Sequence, residues 1–457
     1  MQRHPVSSVL AALVVVTALV PFFTESEGKG KDGGGRVLPE VIAAQEPARR
    51  AAPPLPLAGF TPQFRLGFTA GDQWEPSIAA DRFGTIYVLY PQYFGVPGCP
   101  SCPSPTMILQ ISRDHGATWE APRLIADPGT GQVDAQVAVD PIDGKTAYAS
   151  WLQNGKSDTV VARSDDFGVT WSVVVADHTN AGTDKPIIAV RGDDVYVGFN
   201  HAQKVWVASS HDGGQTFTNS NVNPNANLGW SLAGGGTVDA AGAVYFAWAG
   251  YKKNGQAKGP VNLYVSRSTD GGATWINILV DVSASPPDCS AALCGWAYLG
   301  AQMTLTSDDA GTLYGLWNMG TVDEGPERIY FARSTNGGTT WTSKFDVSAA
   351  PPGAAHAFPA VAAGAAGDVR IAWMDARAGT LWNTYYRSSK NAGTTWSAEK
   401  DISTYVPGFS YIQPAGFGYP FGDYFEMAVD DKGDTHAVWG EGLNYQTPGS
   451  IWYARGN

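Results

Sequence analysis

The 457-residue sequence predicts an all-β fold, a β-propeller of seven four-stranded blades closed by a strand from the N-terminal part of the chain. Three observations predict it. An eight-residue pattern occurs six times, a strand–turn–strand pattern occurs seven times, and 54 Gly and 16 Trp accompany only 16% charged residues. Low charge with many glycines and aromatic residues is typical of short strands joined by tight turns.

The eight-residue pattern is Ser-x-Asp/Asn-x-Gly-x-Thr-aromatic, and its first copy runs from Ser112 to Trp119. Its Ser and Asp/Asn side chains can hydrogen-bond to nearby backbone and stabilise a tight turn, and its Gly permits a left-handed conformation. Each copy is therefore predicted to connect two strands, with the aromatic ring covering the turn. The copies begin at Ser112, Ser164, Ser210, Ser268, Ser334 and Ser389.

A second pattern, two short apolar strands around an Asp-x-x-Gly turn, precedes each copy and occurs once more after the last. Each full unit then contains strands A, B and C, the eight-residue turn, and strand D. Four-stranded units repeated in series predict a propeller. The turn positions of the seven units are Gly84, Gly144, Asp194, Gly242, Gly311, Gly367 and Gly433.

The seventh unit ends before its strand D. An apolar segment before the first A strand, residues 64–68, is predicted to supply this strand and to close the ring. Closure leaves no sheet edge between the two ends of the repeat. Six blades is the alternative count.

The eight-residue pattern resembles the Asp box of the BNR, or sialidase-type, β-propellers, and the resemblance covers residues 62–457 as repeat architecture. It implies a ligand site on the face that carries the D–A and B–C connections, opposite the Asp boxes. It also implies glycoside hydrolysis with a Tyr nucleophile. Sialidases hold the sialate carboxylate with three arginines. Here Arg65 and Arg377 are the nearest matches, and a full triad does not assemble.

Aligning the A strands on their turns places one residue of each strand at the rim of the channel on that face. A Tyr flanked by carboxylates has the chemistry of an activated nucleophile, and a second carboxylate can act as general acid. We therefore predict Tyr424 as nucleophile, Glu426 or Glu75 as its base, and Asp134 as acid. A polar rim facing solvent is the structural alternative. The rim residues are Glu75, Asp134, Lys185, Ala233, Gln302, Phe358 and Tyr424.

Further residues of the same face are predicted to bind substrate, and they are Lys185, Gln302, His356, Asp375, Arg377, Asp423 and Trp296. The Trp-x-Asp-x-Arg segment that ends at Arg377 is frequent in BNR propellers, and a structural ion pair is an equal alternative there. Long aromatic loops on this face favour a glycan as ligand. No motif indicates a metal or a cofactor.

Two other functions stay open at this point. In a polysaccharide lyase, Tyr424 would be the base and Lys185 or Arg377 would neutralise a uronate. In a non-enzymatic binding or assembly propeller, the same face would hold a partner. The net charge of −12 excludes nucleic acid as the main partner, since phosphate binding needs a basic face. The protein is expected to be a monomer.

The N-terminal region differs in composition from the repeats. Residues 1–24 contain an apolar run after Arg3 and are predicted to be a signal peptide or an N-terminal membrane anchor, with residues 25–60 as a flexible linker and 61–457 as the propeller. We expect a secreted or extracytoplasmic location. The cysteine pairs Cys99/Cys102 and Cys289/Cys294 are then predicted to form disulfides, with a zinc site as the alternative.

Overall fold

The computed structural model describes residues 49–180, 182–252, 258–286, 300–378, 381–403, 412–413, 416–417, 422–441 and 449–457. Every regular element in these ranges is a β-strand. The described chain accordingly holds no helix with the length and apolar character needed to cross a membrane.

The strands group into seven blades, preceded by β1 (Arg49–Ala51) and β2 (Phe64–Arg65). Blade 1 contains β3 (Asp72–Gln73), β4 (Ser77–Ala80), β5 (Ile86–Tyr93), β6 (Thr106–Ser112), β7 (Thr118–Glu120) and β8 (Arg123–Leu124). Blade 2 contains β9 (Gln132–Val139), β10 (Ala147–Gln153), β11 (Asp158–Ser164) and β12 (Ser172–His178). Blade 3 contains β13 (Asp184–Arg191), β14 (Asp194–His201), β15 (Lys204–Ser210) and β16 (Thr218–Asn221).

Blade 4 contains β17 (Trp230–Val238), β18 (Val244–Tyr251), β19 (Val261–Ser268) and β20 (Ile276–Ser283). Blade 5 contains β21 (Met303–Ser307), β22 (Leu313–Met319), β23 (Arg328–Ser334) and β24 (Phe345–Asp346). Blade 6 contains β25 (His356–Ala363), β26 (Val369–Ala378), β27 (Leu381–Ser389) and β28 (Lys400–Asp401). After the pair β29 (Ile412–Gln413) and β30 (Gly416–Phe417), blade 7 contains β31 (Glu426–Val429), β32 (Thr435–Glu441) and β33 (Ser450–Gly456).

The innermost strands of the blades form a closed ring. Within a blade the strands pair antiparallel in the order A-B-C-D. Strand A of each blade also contacts strand A of the next, in the order β4, β9, β13, β17, β21, β25, β31 and back to β4. The predicted seven-bladed all-β propeller is confirmed, and the six-blade alternative is wrong.

The seventh blade is completed from the N-terminal side, as predicted. Strand β2 pairs with β33, with Phe64 opposite Tyr453 and Arg65 opposite Trp452. The Leu66 amide continues the ladder by donating to the Ile451 carbonyl at 2.7 Å. The chain before β2 also packs on the propeller, because β1 forms an antiparallel pair with β7 of blade 1.

The Asp boxes are built by one repeated set of hydrogen bonds. In the first box, Ser112 Oγ donates to Asp114 Oδ1 at 2.9 Å and accepts from the Gly116 amide at 2.8 Å. The Thr118 amide and hydroxyl donate to the two carboxylate oxygens at 2.8 and 2.7 Å. The bonds from Ser to Asp/Asn and from the Gly and Thr amides recur in the other five boxes. The boxes are therefore structural turns, as their residue types predict.

The cores lie between neighbouring blades, where large aromatic side chains from the B strands are fully buried. Five of them are tryptophans at the same position of the repeat, namely Trp151, Trp248, Trp317, Trp373 and Trp439. Each blade therefore depends on its neighbour for its core, which fixes the relative position of the A strands around the channel. In blade 1, Cys99 and Cys102 form a disulfide in the B–C connection. The pair Cys289/Cys294 lies outside the described residues.

Candidate functional site

The A strands begin at one face of the propeller, which we call the upper face, and the Asp boxes lie on the opposite, lower face. Five predicted site residues meet at the upper rim, and we call Glu75, Asp134, Lys185, Asp423 and Tyr424 the rim cluster. Lys185 forms an ion pair with Asp423, and its Nζ lies 4.9 Å from the centroid of the Tyr424 ring. Glu75 hydrogen-bonds to Asp423, and its charge interacts with that of Asp134. The structure therefore brings residues of blades 7, 1, 2 and 3 together.

The backbone at the rim is unusual, because Glu75, Asp134 and Lys185 have positive φ angles of 52°, 60° and 54°. Non-glycine residues rarely adopt this region, which costs on the order of 1 kcal/mol each. In blades 2 and 3 the pairing of strands A and B shifts register at this residue, which marks a β-bulge. A bulge interrupts the ladder and redirects a side chain. Phe358, at the rim position of blade 6, also has a positive φ of 54°, and strands A and B of that blade shift register there as well. The bulge is therefore a feature of the repeat that sets the direction of the rim side chains.

The carboxyl groups of the cluster are almost fully buried, with Glu75 5%, Asp134 6% and Asp423 8% exposed. Burial raises the pKa of Glu75 well above its ordinary value, and the charges of Asp423 and Asp134 raise it further. Burial, followed by the charge of Asp184, raises the pKa of Asp134 to about 7. The cluster thus holds protons at a pH where exposed carboxyl groups are ionised.

Lys185, Asp423 and Glu75 contact one another within the rim cluster, whereas one oxygen of Asp134 has no such contact. Burial acts to lower the pKa of Lys185, but the charge of Asp423, its ion-pair partner, outweighs burial and raises the pKa, so the Lys185 ammonium stays charged. The protonated Glu75 donates to the same Asp423. By contrast, Asp134 Oδ2 is buried and has no hydrogen-bond partner among the described residues. Asp134 therefore carries a buried acceptor that the described residues leave unused.

The contacts of Tyr424 hold it as a neutral phenol. Its hydroxyl donates to the Ala135 carbonyl at 3.1 Å, an oxygen that lies at the bulge of blade 2. Burial raises the pKa of Tyr424 well above its ordinary value, and Glu75 and Asp134 add to the rise. This shift is opposite in direction to the lowered pKa of an activated nucleophile.

Glu426 ties three blades together rather than standing free beside Tyr424. Its Oε2 accepts from Ser77 Oγ at 2.5 Å and from the Ile78 amide at 3.2 Å, and its Oε1 accepts from Gln136 Nε2 at 2.7 Å. Burial raises the pKa of Glu426 to about 7. Because both oxygens are occupied, Glu426 fixes β31 against β4 and β9 beneath the rim cluster.

The channel below the rim is narrow. Lys185, Gln302, Tyr424 and Glu426 line a cavity of about 50 Å³, and a second cavity of about 230 Å³ lies between the A strands further down. A volume near 50 Å³ holds a few water molecules, since one water occupies roughly 30 Å³ of liquid. A sugar ring at the rim cluster would therefore lie at the mouth of the channel.

Three predicted binding residues form a separate set in blade 6. Asp375 is fully buried, accepts from Trp373 Nε1 at 2.9 Å and is paired with Arg377. Arg377 also pairs with Glu399 and lies 3.5 Å over the Tyr385 ring. His356, likewise fully buried, contacts the Ala354 carbonyl and the Glu327 carbonyl of blade 5 and lies 3.6 Å from Asp375. These contacts support the structural interpretation of the Trp-x-Asp-x-Arg segment. Trp296 lies outside the described residues.

Sequence reasoning missed a pair beside the rim cluster. Lys156 Nζ, on the B–C turn of blade 2, lies 2.6 Å from Asp184 Oδ1. The charge of Asp184 contributes to the raised pKa of Asp134, and Lys156 opposes it. A signal was present in the sequence, because Asp184 immediately precedes Lys185 as Asp423 precedes Tyr424.

One group on the lower face has metal-ligand residue types. His115 Nδ1 lies 2.9 Å from Asp430 Oδ2 and 3.4 Å from Asp431 Oδ1. Asp430 also accepts from two backbone amides and contacts His436 Nε2 at 3.2 Å. The side chains of this set hydrogen-bond to one another and link blade 7 to blade 1. Their role in closing the ring of blades therefore explains why they lie together.

Comparison with known proteins agrees with this architecture. Residues 72–290 match the family model of the BNR repeat-like domain. A xyloglucanase from Paenibacillus sp is 28% identical over 270 residues, which cover 52% of this chain and 24% of that protein. The chain thus matches about a quarter of the length of this relative.

Solved structures share the fold at low identity. An ulvan lyase is 10% identical with a TM-score of 0.50, covering 85% of this chain and 95% of that one. A protein of unknown function from Dyadobacter fermentans is 15% identical with a TM-score of 0.49, covering 90% and 99%. A Hadza microbial sialidase is 15% identical with a TM-score of 0.43, covering 84% and 66%. The six Asp boxes, the seven blades and the matched domain together show a seven-bladed Asp-box β-propeller that contains a BNR repeat-like domain.

Proposed function

We propose that this protein is an exported glycoside hydrolase whose reaction takes place at the rim cluster, with Asp134 as the general acid. One observation carries the proposal: Asp134, at the rim of the channel, is 6% exposed, has a pKa of about 7 and has a buried Oδ2 that no described residue hydrogen-bonds. A general acid works best when its pKa lies near the operating pH. A buried carboxyl that is still protonated near neutral pH meets this requirement.

The other members of the cluster suit supporting roles. Hydrolysis of a glycosidic bond passes through a transition state with positive charge on the sugar ring, while the acid protonates the leaving oxygen. Asp423, the ion-pair partner of Lys185, interacts electrostatically with Asp134 and raises its pKa. Glu75 donates to Asp423 and thereby positions it. Tyr424, a neutral phenol that donates to the Ala135 carbonyl, suits contact with the substrate rather than nucleophilic attack.

The relatives support a carbohydrate substrate. The chain shares 28% identity over 270 residues with a protein described as a xyloglucanase. The apolar run of residues 9–23 and the Cys99–Cys102 disulfide support export, since disulfides form in oxidising compartments. Sequencing the N-terminus of the protein recovered from outside the cytoplasm would test export and signal cleavage together.

The activity is tested on a broad glycan panel with the full chain. New reducing ends report hydrolysis, and new ultraviolet absorbance reports the unsaturated product of elimination. We expect hydrolysis that Asp134→Asn lowers by roughly 10²–10⁴-fold, the usual contribution of a general acid. Asp166→Asn on the lower face is the matched control and should leave activity unchanged.

Three outcomes contradict the proposal in different ways. Elimination products would make the protein a lyase. Full activity in Asp134→Asn with loss in Tyr424→Phe would restore Tyr424 as the central catalytic residue. Glycan binding without turnover on any substrate would make the protein a binding propeller.

A further inference from the structure

We infer that the rim cluster accepts an uncharged glycan and discriminates against sugars that carry carboxylate or sulfate groups. This inference rests on the proposed function, because it names the substrate class of the same site. It departs from both the sialidase and the lyase alternatives, since each of those reactions needs a cation to hold the sugar's carboxylate.

The cluster has no spare positive charge. Lys185 is the basic residue in the linings of the two channel cavities formed by described residues, and it is paired with Asp423. The second lysine of the site, Lys156, is paired with Asp184. With Glu75 and Asp134, the site holds four carboxyl groups against two lysines. With Glu75 and Asp134 protonated below neutral pH, the two ion pairs leave no net positive charge, so an anionic sugar placed at Asp134 would meet no spare cation among the described residues of the cluster.

Arginines do not supply the missing cation. Every arginine from residue 49 onwards is described, and three of them lie at the upper ends of blade strands. Arg65 donates to Ser450 Oγ and the Phe68 carbonyl. Arg328 is paired with Asp346 and donates to the carbonyls of Ala350 and Pro351.

The third arginine, Arg377, is paired with both Asp375 and Glu399. None of the three lines either channel cavity. The guanidinium groups of the upper face are thus committed to structural partners in blades 5, 6 and 7.

Lysines at the upper ends of blades 3 and 4 are the competing source of charge. Lys204, the first residue of β15, donates to the Ala226 carbonyl. The B–C connection of blade 4 contains Lys252, which is exposed, Lys258, and Lys253, which lies outside the described residues. Residues 287–299, 404–411, 414–415, 418–421 and 442–448 contain no Lys and no Arg. An anion could still be attracted to these lysines, so the test includes Lys252.

Burying a carboxylate without a counter-ion is costly, and removing water strengthens its repulsion from Asp423. We expect at least a hundredfold loss of affinity or of kcat/KM when a carboxylate enters the substrate. The discrimination should increase between about pH 6 and pH 8, because Asp134 loses its proton in that range.

The experiment compares one polymer with its own oxidised form. Each neutral glycan that the wild-type protein binds or hydrolyses is oxidised at its primary hydroxyl groups to carboxylates, which leaves backbone and linkage unchanged. Affinity electrophoresis measures binding of both forms at low ionic strength, and released reducing ends measure turnover. Asp423→Asn, which frees the Lys185 ammonium, should recover part of the binding to the oxidised form. Lys252→Ala should change neither form.

The outcomes separate the inference from the proposed function. Binding of neutral polymers without any turnover would refute the hydrolase and leave the uncharged substrate class standing. Equal or tighter binding of the oxidised form would overturn the inference, and loss of that binding in Lys252→Ala would locate the cation in blade 4. Failure to bind any glycan of the panel would overturn both.

Discussion

Replacing Asp134 by Asn should stabilise the protein above neutral pH while it lowers turnover by roughly 10²–10⁴-fold. The folded-state pKa of Asp134 is raised from 3.8 to about 7, so the wild-type fold loses stability as the pH rises between these two values. The difference corresponds to at most about 4 kcal/mol at pH 8 and about 2 kcal/mol at pH 5. Asn has nearly the same shape and cannot ionise, so the variant should escape this loss.

Urea unfolding of both proteins between about pH 5 and pH 8 measures the effect. The variant's advantage in the free energy of unfolding should grow by about 2 kcal/mol over this range, or a few degrees in Tm. Asp166→Asn is the control, since Asn occupies this box position naturally at Asn336 and Asn391. Burial acts to raise the pKa of Asp166, but the Thr170 hydrogen bonds lower it overall, so this control should be destabilised by the change. An advantage for Asp134→Asn that is independent of pH would refute the electrostatic explanation.

Three further predictions concern the frame of the site. Glu426→Ala leaves the Ser77 hydroxyl and the Ile78 amide without their acceptor, removes one of the two acceptors of Gln136 Nε2, and should cost about 2–5 kcal/mol in urea unfolding. A loss below about 1 kcal/mol would contradict the role of Glu426 in linking three blades. Gly422→Ala would place a Cβ 2.0 Å from Glu75 Cγ at a φ of 67°, so kcat should fall with little change in KM, and unchanged kcat would contradict the packing. Cys99→Ser opens a loop of separation 3 and should lower the free energy of unfolding by about 2 kcal/mol, with reduced wild type as the comparison.

The ring and most of the rim cluster were predictable because both follow from the repeat. Once the A strands are aligned on their turns, a common register places Glu75, Asp134, Lys185 and Tyr424 at one level of the channel. The closing strand was predictable for a similar reason, since a unit that lacks one strand leaves an edge that an unassigned apolar segment can fill.

The sequence could not show which polar groups of different blades form hydrogen bonds or ion pairs with one another. Glu426 accepts from residues about 290 and 350 positions away, and nothing local distinguishes it from a free base. The sequence makes Asp375 a candidate ligand, but its carboxylate accepts a hydrogen bond from the indole N–H of Trp373, a buried donor that needs an acceptor. The positive φ angles at the rim were equally hidden, because Glu and Asp do not signal that conformation.

The pairing of Phe64 with Tyr453 has a consequence for how the molecule assembles. Bringing together residues 389 apart in the chain costs about 5 kcal/mol of loop-closure entropy in a flexible chain. That cost falls as intervening blades form, because each one shortens the flexible path. The last blade is therefore expected to form late, and a ribosome adds roughly 5–20 residues each second, so an open ring lacking β33 persists for tens of seconds during synthesis. During that interval Glu75 and Asp134 are already in place, while Asp423 and Tyr424 arrive only when the circle closes.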